Sequence, residues 1–98
     1  MPITVVLELN LKADRVDAVL AGLKEILPDT RAFDGCLSVS VVRDADDRSH
    51  VALIERWAQR SDQERYFAWR QETGSLAAQA DDAAGPPRVT YYEERPEI

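Results

Sequence analysis

A ferredoxin-like α+β sandwich, in which two helices cover one face of a four-stranded antiparallel sheet, is the fold class this sequence predicts. Three observations predict it. Hydrophobicity alternates with a period of two in residues 3–11 and 36–43, it recurs at steps of three and four from Val16 to Leu27, and the elements read along the chain run strand, helix, strand, strand, helix, strand. No linker, repeat or long low-complexity tract interrupts that order, so residues 1–98 are read as one domain.

The first strand is ITVVLELNL, residues 3–11, with Ile3, Val5, Leu7, Leu9 and Leu11 on one side and Thr4, Val6, Glu8 and Asn10 on the other. In the next segment Val16, Val19, Leu20, Leu23, Ile26 and Leu27 form a helical stripe, with Asp14 as a candidate cap. Pro28 removes a backbone donor, so the helix is expected to kink or end there, and Asp34-Gly35 marks a turn. CLSVSVVR, residues 36–43, alternates Leu37, Val39 and Val41 with Cys36, Ser38 and Ser40. A charged link, DADDRS, leads into HVALIERW, residues 50–57, and the two strands are expected to pair as a hairpin. Ser61-Asp62-Gln63-Glu64 has the form of a capping box, placing a helix start at about Asp62. That helix runs through Tyr66, Phe67, Trp69 and Arg70 toward Gly74. SLAAQADDAA is expected to add a short helical piece before Gly85-Pro86-Pro87, and RVTYYEE forms the last strand.

Composition narrows the function classes. The chain is 45% hydrophobic and 31% charged with a net charge of −6, which suits a soluble globular protein and argues against nucleic acid or an anionic membrane as partner. MPITVVLELNLK has no basic n-region and reads as a strand rather than a signal peptide, nothing reaches transmembrane length, and a cytoplasmic location is expected. The lone Cys36 and the lone His50 give no zinc spacing. His50 is read as solvent-exposed and Cys36 as a small packed hydrophobe. Asp44-Ala45-Asp46-Asp47 lacks the glycine and the downstream glutamate of a calcium loop, so no metal site is expected.

With two helices on one face, whatever covers the other face bears on function. Strand one turns Glu8 and Asn10 to that open face with Thr4 and Val6, and strand two turns Ser38 and Ser40 there. Strand three is ambiguous, because Val51 and Leu53 on one side and Ala52 and Ile54 on the other are all apolar. A sheet with an apolar side under its helices and a half-apolar, half-polar side elsewhere suggests a second copy packed face to face, hence a homodimer enclosing a cavity.

On AFDGCLSVSV, LIERWAQRSDQERYFAWRQETG and GPPRVTYYEE, the chain resembles the antibiotic biosynthesis monooxygenase (ABM) family of dimeric α/β-barrel proteins, often labelled quinol monooxygenases. The resemblance covers essentially the whole chain. It implies a homodimer whose subunits each hold a pocket between sheet and helices or loops. It also implies oxidation of small aromatic, phenolic or quinol-like substrates by dioxygen without metal or flavin. In several members a strand-one Asn, a Trp near the end of strand three and a helix-two aromatic or His line the pocket. Asn10 and Trp57 stand at the first two places, and Tyr66 or Trp69 near the third. A haem-degrading branch uses an axial His on or after the second helix; residues 60–98 contain none, which disfavours haem.

Cofactor-free oxygenation needs a flat apolar slot and a proton acceptor. Trp57, Tyr66 and Trp69 are candidates for the slot, with Ser38 and Ser40 as further substrate contacts, and Asn10 for stabilising charge on a substrate oxygen. Glu8 and Glu55 are the candidate bases, since burial would raise a carboxyl pKa toward the useful range. Each has a plainer rival: barrel packing for Trp57, a core stripe for Tyr66 and Trp69, a turn for Asn10, a seam ion pair for either glutamate. At the level of the whole protein, the rival is a non-catalytic dimer that binds a small ligand in the same pocket.

Overall fold

The computed structural model describes residues 2–74 and 80–98. Its strands are β1 (Ile3–Asn10), β2 (Cys36–Arg43), β3 (His50–Trp57) and β4 (Arg88–Glu93), and its helices are α1 (Val16–Ala32) and α2 (Arg60–Thr73). The sheet order is β2-β3-β1-β4 with every neighbouring pair antiparallel, the ferredoxin-like arrangement. Short 3-10 turns at Ala13–Arg15 and Ala80–Asp82 flank the connections. Residues 75–79 of the expected alanine-rich piece lie outside the described residues.

Register settles what parity alone left open for β3. Leu7 pairs with Leu53 and Leu9 with Val51, so the odd residues of β3 join the odd face of β1 under the helices. Val16, Val19, Leu23, Leu27 and Thr30 form the buried stripe of α1, which packs with Leu9, Val39, Val51 and Leu53 into the main core. Each such fully buried Leu or Val contributes about 1.5–3 kcal/mol of transfer free energy. Ala52 and Ile54, with Val6, are left on the opposite face.

Three local expectations shift. Helix α1 continues past Pro28 to Ala32. Proline deprives only the carbonyl four residues back of a partner, and Pro28 itself is exposed, where water serves instead. Helix α2 starts at Arg60 with Gln59 as N-cap and no side-chain cap, so Ser61 sits inside the first turn rather than capping it. Likewise Asp14 lies in the 3-10 turn and caps nothing; α1 begins after Arg15.

The β2–β3 hairpin closes as its charged link suggests. Asp44 Oδ1 accepts from the amides of Asp46 (2.8 Å) and Asp47 (3.0 Å), and those bonds hold its carboxyl below its ordinary pKa. His50 is half-buried rather than exposed, with Nε2 3.3 Å from Glu8 Oε1 and Nδ1 3.5 Å from Asp44 Oδ2.

Candidate active site

The two helices bury different chemistry. The stripe of α1 is aliphatic apart from Thr30, but α2 turns Gln63, Tyr66 and Arg70 inward, at spacings of three and four. Long polar and aromatic side chains do not interdigitate with a valine- and leucine-rich sheet as aliphatic ones do. Between α2, α1 and the sheet they leave a cavity of about 50 Å³, room for about three to five water molecules. Its walls are aliphatic, Val5, Leu7, Leu23, Leu27 and Leu53, and its polar groups are Glu55, Gln63, Tyr66 and Arg70. Phe67 and Val89 line it and are themselves exposed, so its mouth opens between α2 and the edge strand β4.

Glu55 is 5% exposed and stands between Val5 of β1 and Val39 of β2, both buried. Its described hydrogen bond comes from the side chain two residues along the same face: Trp57 Nε1 donates to Oε1 at 2.9 Å. Burial pushes the Glu55 pKa up because the charged form loses its water, and the Trp57 bond pulls it partly back. Trp57 has no exposed surface, its ring lying 5.2 Å from that of Tyr66 and 6.3 Å, edge-on, from that of Phe33. Trp57 is thus the orienting partner of a buried carboxyl, standing behind the cavity wall.

Across the cavity a polar network ties α2 to α1. The hydroxyls of Thr30 and Tyr66 are 2.6 Å apart, Arg70 Nε donates to Tyr66 Oη at 2.8 Å, and one Arg70 terminal nitrogen donates to Thr30 Oγ1 (3.0 Å) and the Ile26 carbonyl (2.9 Å). Tyr91 donates to Gln63 Oε1 at 2.8 Å, and the Arg60 guanidinium lies 4.0 Å above the Tyr91 ring. The site therefore presents a carboxyl of raised pKa, a phenol, an amide and a guanidinium around an apolar space. That set can take a proton from a small ring and hold the oxygen that loses it.

The sequence profile of the antibiotic biosynthesis monooxygenase family matches residues 2–81. The chain belongs to this family. Solved structures agree in fold with this ABM chain. A conserved protein from Methanosarcina mazei Go1 superposes with TM-score 0.87 at 14% identity, covering 97% of this chain and 94% of that one. Rv0793 from Mycobacterium tuberculosis gives 0.84 at 24% identity, covering 97% and 96%. A structure named antibiotic biosynthesis monooxygenase gives 0.84 at 22% identity, covering 96% and 99%. No curated protein sequence matches significantly.

Of the residues singled out in the ABM chain's sequence, Glu55, Trp57 and Tyr66 come together here. Trp69 lies one layer out, its ring 6.2 Å from Tyr66, 5.7 Å from Phe33 and 4.7 Å from the Arg70 guanidinium, without lining the cavity. Glu8, Asn10, Ser38 and Ser40 belong to the sheet face turned away from the helices, where Glu8 meets His50 and Asn10 is exposed. Gln63 and Arg70 were not anticipated. Their signal was present in the spacing of 63, 66, 67 and 70, which puts polar groups on the one face of α2 that must turn inward. Among the described residues no three His, Cys, Asp or Glu side chains group as metal ligands, and no helix is long and apolar enough to cross a membrane.

Proposed function

We propose that this ABM-family protein is a cofactor-independent monooxygenase that oxidises a small phenolic or quinol-like ring with dioxygen. The observation that carries this reading is Glu55, a carboxyl of raised pKa on the wall of an otherwise aliphatic cavity. Ionised Glu55 takes the phenolic proton, and Trp57 Nε1 keeps the carboxylate aimed. The phenolate is electron-rich enough to pass one electron to dioxygen. The resulting radical pair closes a C–O bond on the ring, and loss of water from that hydroperoxide leaves a quinone. Phenol plus dioxygen equals quinone plus water, so the ring supplies every electron and no further reductant is needed. Gln63, Tyr66 and Arg70 hold the substrate oxygen, and the aliphatic walls exclude bulk water. The sole histidine, His50, stands at the start of β3 beside Glu8, not on or after α2, which leaves haem degradation unsupported.

The decisive measurement is oxygen uptake by purified protein with hydroquinones, phenols and anthrones in chelator, without flavin. Uptake with quinone formation is expected. Binding of the same rings without oxygen consumption would instead favour the rival reading, a dimer that only holds a small ligand.

The reading includes a cytoplasmic homodimer. On the open sheet face Val6, Ala52, Ile54 and Val42 form an apolar centre, and polar groups sit at its ends: Arg56 paired with Glu94 at 2.9 Å, and His50 Nε2 3.3 Å from Glu8. An apolar centre with a polar rim is the anatomy of a protein interface. Sedimentation should show a dimer, and Ile54→Lys, which plants a charge in that centre, should yield a monomer or lower the association constant at least tenfold. A wild-type monomer at ~100 μM would refute the arrangement.

A further inference from the structure

Arg70 is 4% exposed and lines the cavity. A buried guanidinium ordinarily faces a carboxylate, because desolvating a charge without a counter-charge is unfavourable. All of its acceptors are neutral: Tyr66 Oη, Thr30 Oγ1 and the Ile26 carbonyl. Every Asp and Glu of the chain lies among the described residues, and none comes within ion-pair distance of Arg70. The neighbouring carboxyl, Glu55, is engaged by Trp57 instead. Moreover, Arg70 Nε and one terminal nitrogen make all its described hydrogen bonds, so the N–H groups of the other terminal nitrogen meet no described acceptor. The Tyr66 and Trp69 rings, 5.2 and 4.7 Å from the guanidinium carbon, fix it in place without neutralising it.

We infer that the ligand supplies the missing counter-charge of Arg70: the cavity selects a single-ring aromatic whose anionic oxygen Arg70 binds, either a carboxylate or a phenol that ionises in the site by giving its proton to Glu55. The inference rests on the cavity being the ligand site, as proposed above, and deepens that reading by naming the substrate's charge. Ring size follows from the volume, since a cavity of about 50 Å³ holds about three to five waters, the space of one six-membered ring. The charge of the whole molecule works against any unspecific preference, because a protein of net charge −6 repels anions at large.

Benzoate and benzyl alcohol share the ring and differ in charge, so NMR titration of both at pH 7 and fixed ionic strength tests the inference directly. Benzoate is expected to bind wild type about 10- to 100-fold more tightly, the range of a hydrogen bond to a charged group. Arg70→Gln should erase that ratio by weakening benzoate alone, and Arg70→Lys should keep part of it. Equal binding of the two probes to wild type, a ratio that survives in R70Q, or no binding of either would each overturn the inference. Should R70Q fail to fold, the wild-type ratio and R70K decide. Oxygen uptake that ignores the charge of the ring would leave the oxygenase reading standing and remove this one; benzoate preference without uptake would do the reverse.

Discussion

Glu55→Gln is expected to slow oxygen uptake by orders of magnitude while making the protein more stable at neutral pH. The substituted amide still offers an oxygen to Trp57 Nε1, so the geometry around the 2.9 Å bond survives. What disappears is the ability to ionise. In the native state burial raises the Glu55 pKa above its unfolded value, so the folded protein binds this proton more tightly than the unfolded chain does. The corresponding stability is fully present below the unfolded carboxyl pKa and is lost as pH rises through the raised native value. Above that window the wild type carries a poorly hydrated carboxylate and the glutamine variant does not. The expected gain is on the order of 1 kcal/mol, or ~4–8 °C in melting temperature for a domain of this size. It should fade as pH falls below the window, where Glu55 is neutral in both states.

The rate should fall by about 10²–10⁴-fold, the contribution of a positioned general base. In wild type the rate should climb with pH through the raised Glu55 pKa. Trp57→Phe supplies the companion test: without the indole donor that pulls the pKa down, the rising limb should move to higher pH, at a stability cost of about 1–3 kcal/mol. Calorimetry of wild type and E55Q across pH, together with oxygen-electrode rates, checks both halves. An E55Q variant that keeps its rate removes Glu55 from the chemistry. One that is destabilised at every pH shows that the carboxylate is better solvated than its flanking valines imply.

The sheet and the aliphatic helix were readable because their periodicities are local. The odd residues of β1 and the stripe of α1 name the main core almost residue by residue. Orientation of β3 was not readable, since Val51 and Leu53 differ little in hydrophobicity from Ala52 and Ile54; the pairing of Leu53 with Leu7 and the burial of Trp57 decide it. Of the residues gathered at the candidate site, the sequence singled out Glu55, Trp57 and Tyr66 but not Arg70 and Gln63. The spacing puts both on the stripe of Tyr66, but on a helix with so few aliphatic residues that spacing alone does not separate a buried arginine from a solvated one. The distinction comes from Thr30 and Ile26, 40 and 44 positions away, whose oxygens receive the guanidinium. Asn10 and Glu8 show the converse: their even parity puts them on the sheet face away from the cavity, and a motif position carried over from a family does not move them across the sheet.

Gly35→Ala should cost about 2–5 kcal/mol and, through the position of α2, most of the oxygen uptake as well. Asp34-Gly35 turns the chain from α1 into β2, and Gly35 takes φ +91°, a conformation that a side chain rarely tolerates. Its surroundings are as restrictive as its backbone. A Cβ on Gly35 would overlap the Cβ and carboxylate of Asp62, in the first turn of α2, and the Asp62 carboxylate is itself engaged by Arg65. The Gly35 carbonyl accepts from the Ala58 amide at 2.8 Å, joining this turn to the corner that follows Trp57. A methyl group here therefore presses on the segment between Trp57 and Gln63, both of which serve the cavity. The φ penalty of about 1–3 kcal/mol and an overpacking term of similar size act independently, so they separate in a double variant. Asp62→Gly alone removes the overlapping Cβ and carboxylate, and gives up the charge at the helix start and some helix propensity, together about 1–2 kcal/mol. Combined with Gly35→Ala it should recover the overpacking part and leave the backbone part. Urea unfolding of the two single variants and the double variant measures all three quantities. If G35A unfolds within 0.5 kcal/mol of wild type, a value below either contribution, the turn is not the constraint its geometry indicates. If the double variant is no better than G35A, the whole cost lies in the backbone and α2 is seated without help from this contact.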